Sequence, residues 1–217
     1  LATALDGAKM VVFSNPSNPN GIVHTRDELE RLAQLLDATD TLVVSDKAYS
    51  ALTYTAEPFT SALEVSGLQE RTLYVQTFSK KYCMTGFRVG YVAGAKDLIA
   101  AIAQMHRTFN GSVSEQAQLA ALAAVSLPES VVTPMLEEYA RRRDLVVRLL
   151  NDVPHVQLFE PEGAFYAFFS YDLDKPSSQV AAELAERGVL VRAGAEYGPA
   201  AEHHIRLSFA ASQADIE

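Results

Sequence analysis

Lys80 stands in the run Thr77-Phe78-Ser79-Lys80, eight residues before Arg88 and directly after the strand-like stretch Leu73 to Gln76. An amine next to two hydroxyls and a guanidinium can hold a phosphate and offer a nucleophile beside it. Pyridoxal phosphate needs that combination: a lysine for a Schiff base, with hydroxyl and guanidinium groups for its phosphate. An isolated lysine is also an ordinary solvated cation, so the assignment depends on what accompanies Lys80.

Such chemistry needs an electron sink, and a carboxylate against the pyridine nitrogen keeps that nitrogen protonated. Asp46 follows the apolar, β-rich run Thr41-Leu42-Val43-Val44-Ser45, which puts it at the carboxyl end of a predicted strand, where open α/β sheets bind ligands. It also reads as a capping or loop Asp. Tyr49, three residues on, can send its phenol toward the same ligand and stabilise charge on a ring oxygen, or serve as a packing residue with a wet tip. Upstream, Asn15-Pro16-Ser17-Asn18-Pro19-Asn20-Gly21 forces extended and turn geometry. It is either simply a well-made turn or a rigid holder for the Asn18 amide. Near the end, Ile205-Arg206-Leu207-Ser208-Phe209 sets one arginine in a β-like run. Pointing inward, Arg206 would bind a carboxylate through two parallel hydrogen bonds; on an edge strand it would face water.

The elements that must position these groups alternate. Strand Met10 to Phe13 leads through the Asn-Pro loop to a helix from Arg26 to about Asp37, with Thr25 and Glu28 as a capping box. Strands Leu42 to Ser45, Leu73 to Gln76 and Val89 to Ala93 follow. This pattern predicts an α/β fold with a mostly parallel sheet. The last strand follows too closely for a helical crossover and is predicted antiparallel or at an edge. Helices are expected from Lys96 to about Arg107 and from Val113 to about Val125, the second capped by Ser112 with Glu115. Leu127-Pro128-Glu129-Ser130 marks a seam between residues 1–127 and 128–217. Beyond it come a long helix to about Leu150 and a smaller α+β unit. That unit is read as strands Val156 to Phe159, Ala164 to Phe169, Val189 to Arg192 and His204 to Phe209, with a helix from Ser178 to Arg187. The aromatic-rich Gly163-Ala164-Phe165-Tyr166-Ala167-Phe168-Phe169 reads mainly as core packing. Arg141, Arg142, Arg143 and Arg148 give the long helix a basic face, read as a solvated helix end.

Composition narrows the partners. Hydrophobic residues make up 48% and charged residues 21% of 217 residues, as in ordinary globular proteins. The net charge of −9 disfavours nucleic acid or an anionic membrane as partner. No run approaches the ~18 apolar residues of a membrane-spanning helix. Cys83 is the only cysteine, so no internal disulfide forms and a reducing, cytoplasmic compartment fits. Cys83, three residues past Lys80, reads first as a small packing residue and second as a reactive thiol. The five histidines show no ligand spacing and no metal site is expected; adjacent His203 and His204 should face opposite sides of a strand.

Taken together, the Asn15-to-Gly21 loop, Ser45-Asp46-Lys47-Ala48-Tyr49, Thr77-to-Gly90, Gly163-to-Tyr166 and Ile205-to-Ser208 resemble, in order and spacing, the class I/II aminotransferases of fold type I. The resemblance covers practically the whole chain. It implies pyridoxal 5′-phosphate as cofactor and Lys80 as the Schiff-base lysine and proton shuttle. It implies Asp46 on the pyridine nitrogen, Asn18 and Tyr49 on the phenolate oxygen, and Thr77 and Arg88 on the phosphate, with Ser79 as a further phosphate candidate. Arg206 would bind the substrate's α-carboxylate, with Asn18 beside it. The implied reaction moves an amino group between an α-amino acid and a 2-oxo acid, in a homodimer. A β-lyase, cyclase, decarboxylase or oxidase of the same fold is the alternative, and after it the effector domain of an aminotransferase-like transcription regulator. Family members run to nearly twice this length, so the chain is expected to be part of a longer protein: a partial cofactor-binding large domain over 1–127 and a truncated small domain over 128–217. Two positions depart from the family pattern, Lys47 where an acidic residue is usual and Ala193-Gly194 where Pro-Gly is usual.

Overall fold

The computed structural model describes residues 2–217, which separate into two compact units. The first comprises the chain up to Pro16, Val23–Ala51 and Ala56–Val132. A short helix α1 (Ala2–Leu5) precedes β1 (Met10–Ser14). Helix α2 (Arg26–Leu36) starts at the capping box the sequence predicts: the Thr25 side chain accepts from the Glu28 amide, and the Glu28 carboxylate accepts from the Thr25 amide. Its apolar face buries Leu29, Leu32 and Leu36 in a cluster that includes Val43, Val65 and Leu68. Burial of each such leucine contributes about 1.5–3 kcal/mol. Strands β2 (Leu42–Asp46), β3 (Thr72–Thr77) and β4 (Gly90–Ala93) complete a sheet of order β1-β2-β3-β4. The first two pairings are parallel and the third antiparallel, as the short β3–β4 connection requires.

Helices α3 (Lys96–Phe109) and α4 (Glu115–Val125) close this unit. The predicted Ser112–Glu115 cap does not form. Val113 packs against the Phe78 cluster and its carbonyl accepts from the Gln118 side chain, so the helix begins two residues later with Ser114 as N-cap. Ala117, Ala121 and Ala124 form the inward face of α4 against Phe78, Met84 and Val89. Cys83 is exposed rather than packed: its left-handed backbone (φ 54°) turns it out, and buried Met84 takes the inward place.

The second unit comprises Ser17–Ile22, Leu52–Thr55 and Thr133–Glu217. A 3₁₀ turn over Glu129–Val131 delays the long helix, so α5 spans Thr133–Asn151. Three of its four arginines are paired locally, Arg141 and Arg142 with Glu138 and Arg143 with Glu160. Strands β5 (Val156–Phe159), β6 (Tyr166–Tyr171), β7 (Arg192–Ala193) and β8 (His204–Ser208) form an antiparallel sheet of order β5-β6-β8-β7. Helix α6 (Ser177–Glu186) lies between β6 and β7 in sequence, and α7 (Gln213–Ile216) follows β8.

Two predicted boundaries shift for local reasons, and His203 and His204 do not share the strand expected of them. β6 begins at Tyr166 because Ala164 is left-handed (φ 61°) and its amide binds the Leu52 carbonyl. β7 keeps only two residues: the Val189 amide caps α6 by binding the Leu184 carbonyl, and Leu190 is left 84% exposed. His203 lies outside β8 with φ 61° and contacts Tyr171 edge-on, while His204 stacks on Phe168.

Candidate active site

In the first unit the candidate residues gather at the carboxyl ends of the parallel strands. Asp46 is the last residue of β2 and Thr77 the last of β3. Asp46 is paired with Ser14 on one side and Val75 on the other, so Asp46 and Thr77 sit on the same sheet face. One carboxylate oxygen of Asp46 accepts from the Ala48 amide at 2.9 Å, which fixes its orientation. Tyr49 is buried, and the Lys80 Nζ lies 5.6 Å from its ring centroid.

The Thr77–Lys80 loop is held by its own hydroxyls. Thr77 Oγ1 donates to Ser79 Oγ at 2.9 Å and accepts from the Ser79 amide at 3.1 Å. Gln76, which the sequence did not single out, fixes the loop from behind. Its Oε1 accepts from the Thr77 amide, and its Nε2 donates to Ser50 Oγ. The Phe78 amide binds the Val89 carbonyl, which brings the segment carrying Arg88 alongside the loop. Arg88 is left-handed (φ 52°) and exposed, with Nη1 donating to the Thr85 carbonyl at 3.0 Å.

Lys47, next to Asp46, is buried although the sequence offered it no role. Its Nζ lies over the Phe59 and Tyr74 rings at 4.5 and 4.7 Å. Burial pushes its ammonium down to about 8, against the charge of Glu64, which works to raise it.

The second unit holds the other two candidates together. Gly21 has φ +71°, and its carbonyl accepts from the Glu162 and Gly163 amides. A Cβ there would lie 2.9 Å from the Gly163 carbonyl oxygen, so this docking requires glycine. The docked loop sets Asn18 Oδ1 2.8 Å from Arg206 Nη1, which donates to it. Arg206 sits mid-strand in β8, its Cζ over the Tyr166 ring at 4.3 Å and over the Tyr197 ring at 5.3 Å. Its Nε is buried without a hydrogen-bond partner. The guanidinium is therefore oriented, and the donors at its Nη end are the ones positioned to meet a planar anion.

The family profile for "Aminotransferase class I and II" matches residues 1–217. The chain belongs to this family. It is 37% identical over 216 residues to the aspartate/prephenate aminotransferase of Cereibacter sphaeroides, covering 93% of this chain and 54% of that protein. The aromatic aminotransferase of Pyrococcus horikoshii superposes with a TM-score of 0.93 at 31% identity, over 98% of this chain and 58% of that one. The aspartate aminotransferase of Thermus thermophilus with maleate gives 0.89 at 35%, over 96% and 54%. The chain thus spans about half the length of the aminotransferases it matches. These class I/II neighbours share the α/β architecture predicted for the chain.

Sequence reasoning missed Tyr197 and underread Tyr166. The aromatic-rich run is indeed largely core, with Phe165 and Phe169 buried, but Tyr166 also carries a guanidinium. Only the spacing Gly194-Ala195-Glu196-Tyr197-Gly198 could have hinted at a turn presenting Tyr197.

Proposed function

We propose that the protein is a pyridoxal-phosphate-dependent aminotransferase that moves an amino group between an α-amino acid and a 2-oxo acid, with Lys80 as the lysine that carries the cofactor. The observation that supports this reading is the cluster at the carboxyl ends of β2 and β3. There a lysine amine lies over a buried tyrosine, β2 ends in a carboxylate, and β3 ends in a paired Thr–Ser hydroxyl. The donor set fits the cofactor: an amine, a carboxylate for a ring nitrogen, and two hydroxyls with an exposed guanidinium for a phosphate. When bound, the group supplies an aldehyde for the Lys80 amine and a cationic ring that draws electrons from an amino acid's Cα.

In this reading Asp46 holds the proton on the ring nitrogen. Thr77, Ser79 and Arg88 bind the phosphate, and Tyr49 and Asn18 donate toward the ring oxygen. With its oxygen already accepting from Arg206, Asn18 has its amide nitrogen as the donor. Lys80 would take the proton from the substrate Cα and pass it to the cofactor carbon. Arg206, aided by Asn18, grips the α-carboxylate so that the Cα–H bond is presented in one orientation.

Residues 1–127 belong, on the same reading, to the cofactor-binding large domain and 128–217 to the small domain. The single cysteine supports a cytoplasmic setting. Among the described residues no helix is long and apolar enough to cross a membrane. A homodimer is supported by the exposed apolar side chains Phe109, Leu119 and Leu122 on α3 and α4.

The test is acceptor dependence. The complete protein, given an α-amino acid, should release at most one equivalent of 2-oxo acid per bound pyridoxal phosphate on its own and turn over repeatedly only with a second 2-oxo acid as acceptor. Ammonia or thiol release without an acceptor would instead establish a lyase.

A further inference from the structure

Arg206 is flanked from both edges of β8. β6 pairs with one edge and contributes Tyr166, and β7 pairs with the other and runs directly into the 3₁₀ turn Gly194–Tyr197. The two tyrosines are not equivalent. Tyr166 is buried in the sheet, diagonal to Arg206 across the β6–β8 register. Tyr197 comes from a turn whose position rests on the close packing of Gly194. Gly194 is buried, and a Cβ on it would clash with the Ala201 carbonyl oxygen and lie 2.6 Å from that of His204. The turn is pinned again where the Ala195 amide donates to Ser177 Oγ at 3.1 Å. Phe168 braces Tyr197 edge-on at 6.1 Å and itself stacks on His204. Burial pushes the Tyr197 phenol up, opposed by the Arg206 charge, which keeps the ring uncharged beside the guanidinium.

We propose that Tyr197 is a positioning residue for Arg206: its ring face fixes the plane of the guanidinium and so sets affinity for the carboxylate of any substrate or inhibitor, whatever its side chain. The proposal rests on the reading that Arg206 takes a carboxylate. A long side chain that must be ordered on binding loses rotamer freedom at that moment. One already held over two rings and by Asn18 has lost it beforehand, and the orphaned Nε shows that the hold comes from ring faces rather than from hydrogen bonds along the whole group. The phenol hydroxyl takes no part, so phenylalanine should serve as well as tyrosine, and a side chain without a ring should not.

The experiment uses the complete protein and maleate, a carboxylate with no amine to react, with binding read by calorimetry. Wild type should bind and Arg206→Leu should not, which locates the ligand. Tyr197→Phe should bind within about twofold of wild type, and Tyr197→Ala and Tyr197→Leu about tenfold more weakly. In turnover, Tyr197→Ala should raise KM for amino acids about tenfold with kcat within about twofold. Should Tyr197→Ala misfold, Tyr197→Leu against Tyr197→Phe decides alone. Equal affinity of the Leu and Phe variants would overturn the proposal and leave the Arg206 reading standing. No maleate binding by wild type, or unchanged binding by Arg206→Leu, would overturn both.

Discussion

Arg88 and Arg206 are the same residue put to different uses by their surroundings. Arg88 lies on a left-handed turn, exposed, with one bond from its guanidinium to a main-chain carbonyl. Arg206 lies in a strand, over two aromatic rings, with one nitrogen buried and another bonded to Asn18. An exposed guanidinium supplies charge that adapts around a ligand, and its single contacts are screened by water. A ring-stacked guanidinium supplies a fixed fork that selects a planar acceptor. On the proposed roles, affinity for a phosphate would be spread over several groups, the Thr77 and Ser79 hydroxyls among them, whereas recognition of a carboxylate would be concentrated in one oriented side chain.

The largest effect should come from Lys80, the lysine proposed to carry the cofactor. Lys80→Ala should lower turnover by ~10²–10⁴-fold or more, since it removes the positioned proton carrier; steady-state assays in saturating cofactor check this. Next, Arg206→Lys should weaken amino-acid binding by about 10²-fold, because an ammonium cannot present the fork, while leaving cofactor affinity unchanged. Arg88→Lys should do the reverse and more mildly, weakening cofactor binding by about tenfold or less with KM for the amino acid unaltered. Equal penalties for the two lysine variants, read by cofactor titration and initial rates, would erase the comparison.

Gly194→Ala tests how the fork is built. The added methyl cannot fit beside the His204 carbonyl, so the turn carrying Tyr197 must shift. KM should rise severalfold, short of the about tenfold expected of Tyr197→Ala, and thermal unfolding should show a loss of about 1–3 kcal/mol.

The smallest effect concerns Lys47, a buried cation serving neither arginine. Its folded pKa of about 8 lies below the ordinary 10.5. Between those values the unfolded chain binds more protons, so stability should rise with pH across pH 8–10.5. Lys47→Met should therefore stabilise the protein by about 1–2 kcal/mol below pH 8, net of the lost contacts with Phe59 and Tyr74. That gain should shrink to nothing above pH 10.5, a trend that urea unfolding at several pH values would reveal.

What was legible in the sequence follows the range of the forces involved. The strand carrying Asp46 shows itself as an apolar β-rich run, the α2 start as Thr25 with Glu28, and the antiparallel β4 as a connection too short for a crossover. These are local signals. The placement of Tyr197 over Arg206 is not local: it depends on Gly194 packing under the 199–204 segment, which no periodicity reports. The same holds for α4, whose inward face is alanine while Leu119 and Leu122 point out, and for the stretch before β7, where capping of α6 consumes Val189. Lys47 was visible only as a departure from pattern; its burial between rings needed the fold.

Lys80 is proposed to carry the cofactor. Borohydride reduction of the complete protein with pyridoxal phosphate, followed by peptide mass spectrometry, tests it directly. A pyridoxyl group on Lys80, absent from the Lys80→Ala variant, is the predicted result. Folded protein with no label on Lys80, or with the label on Lys81 or Lys47 instead, would contradict it.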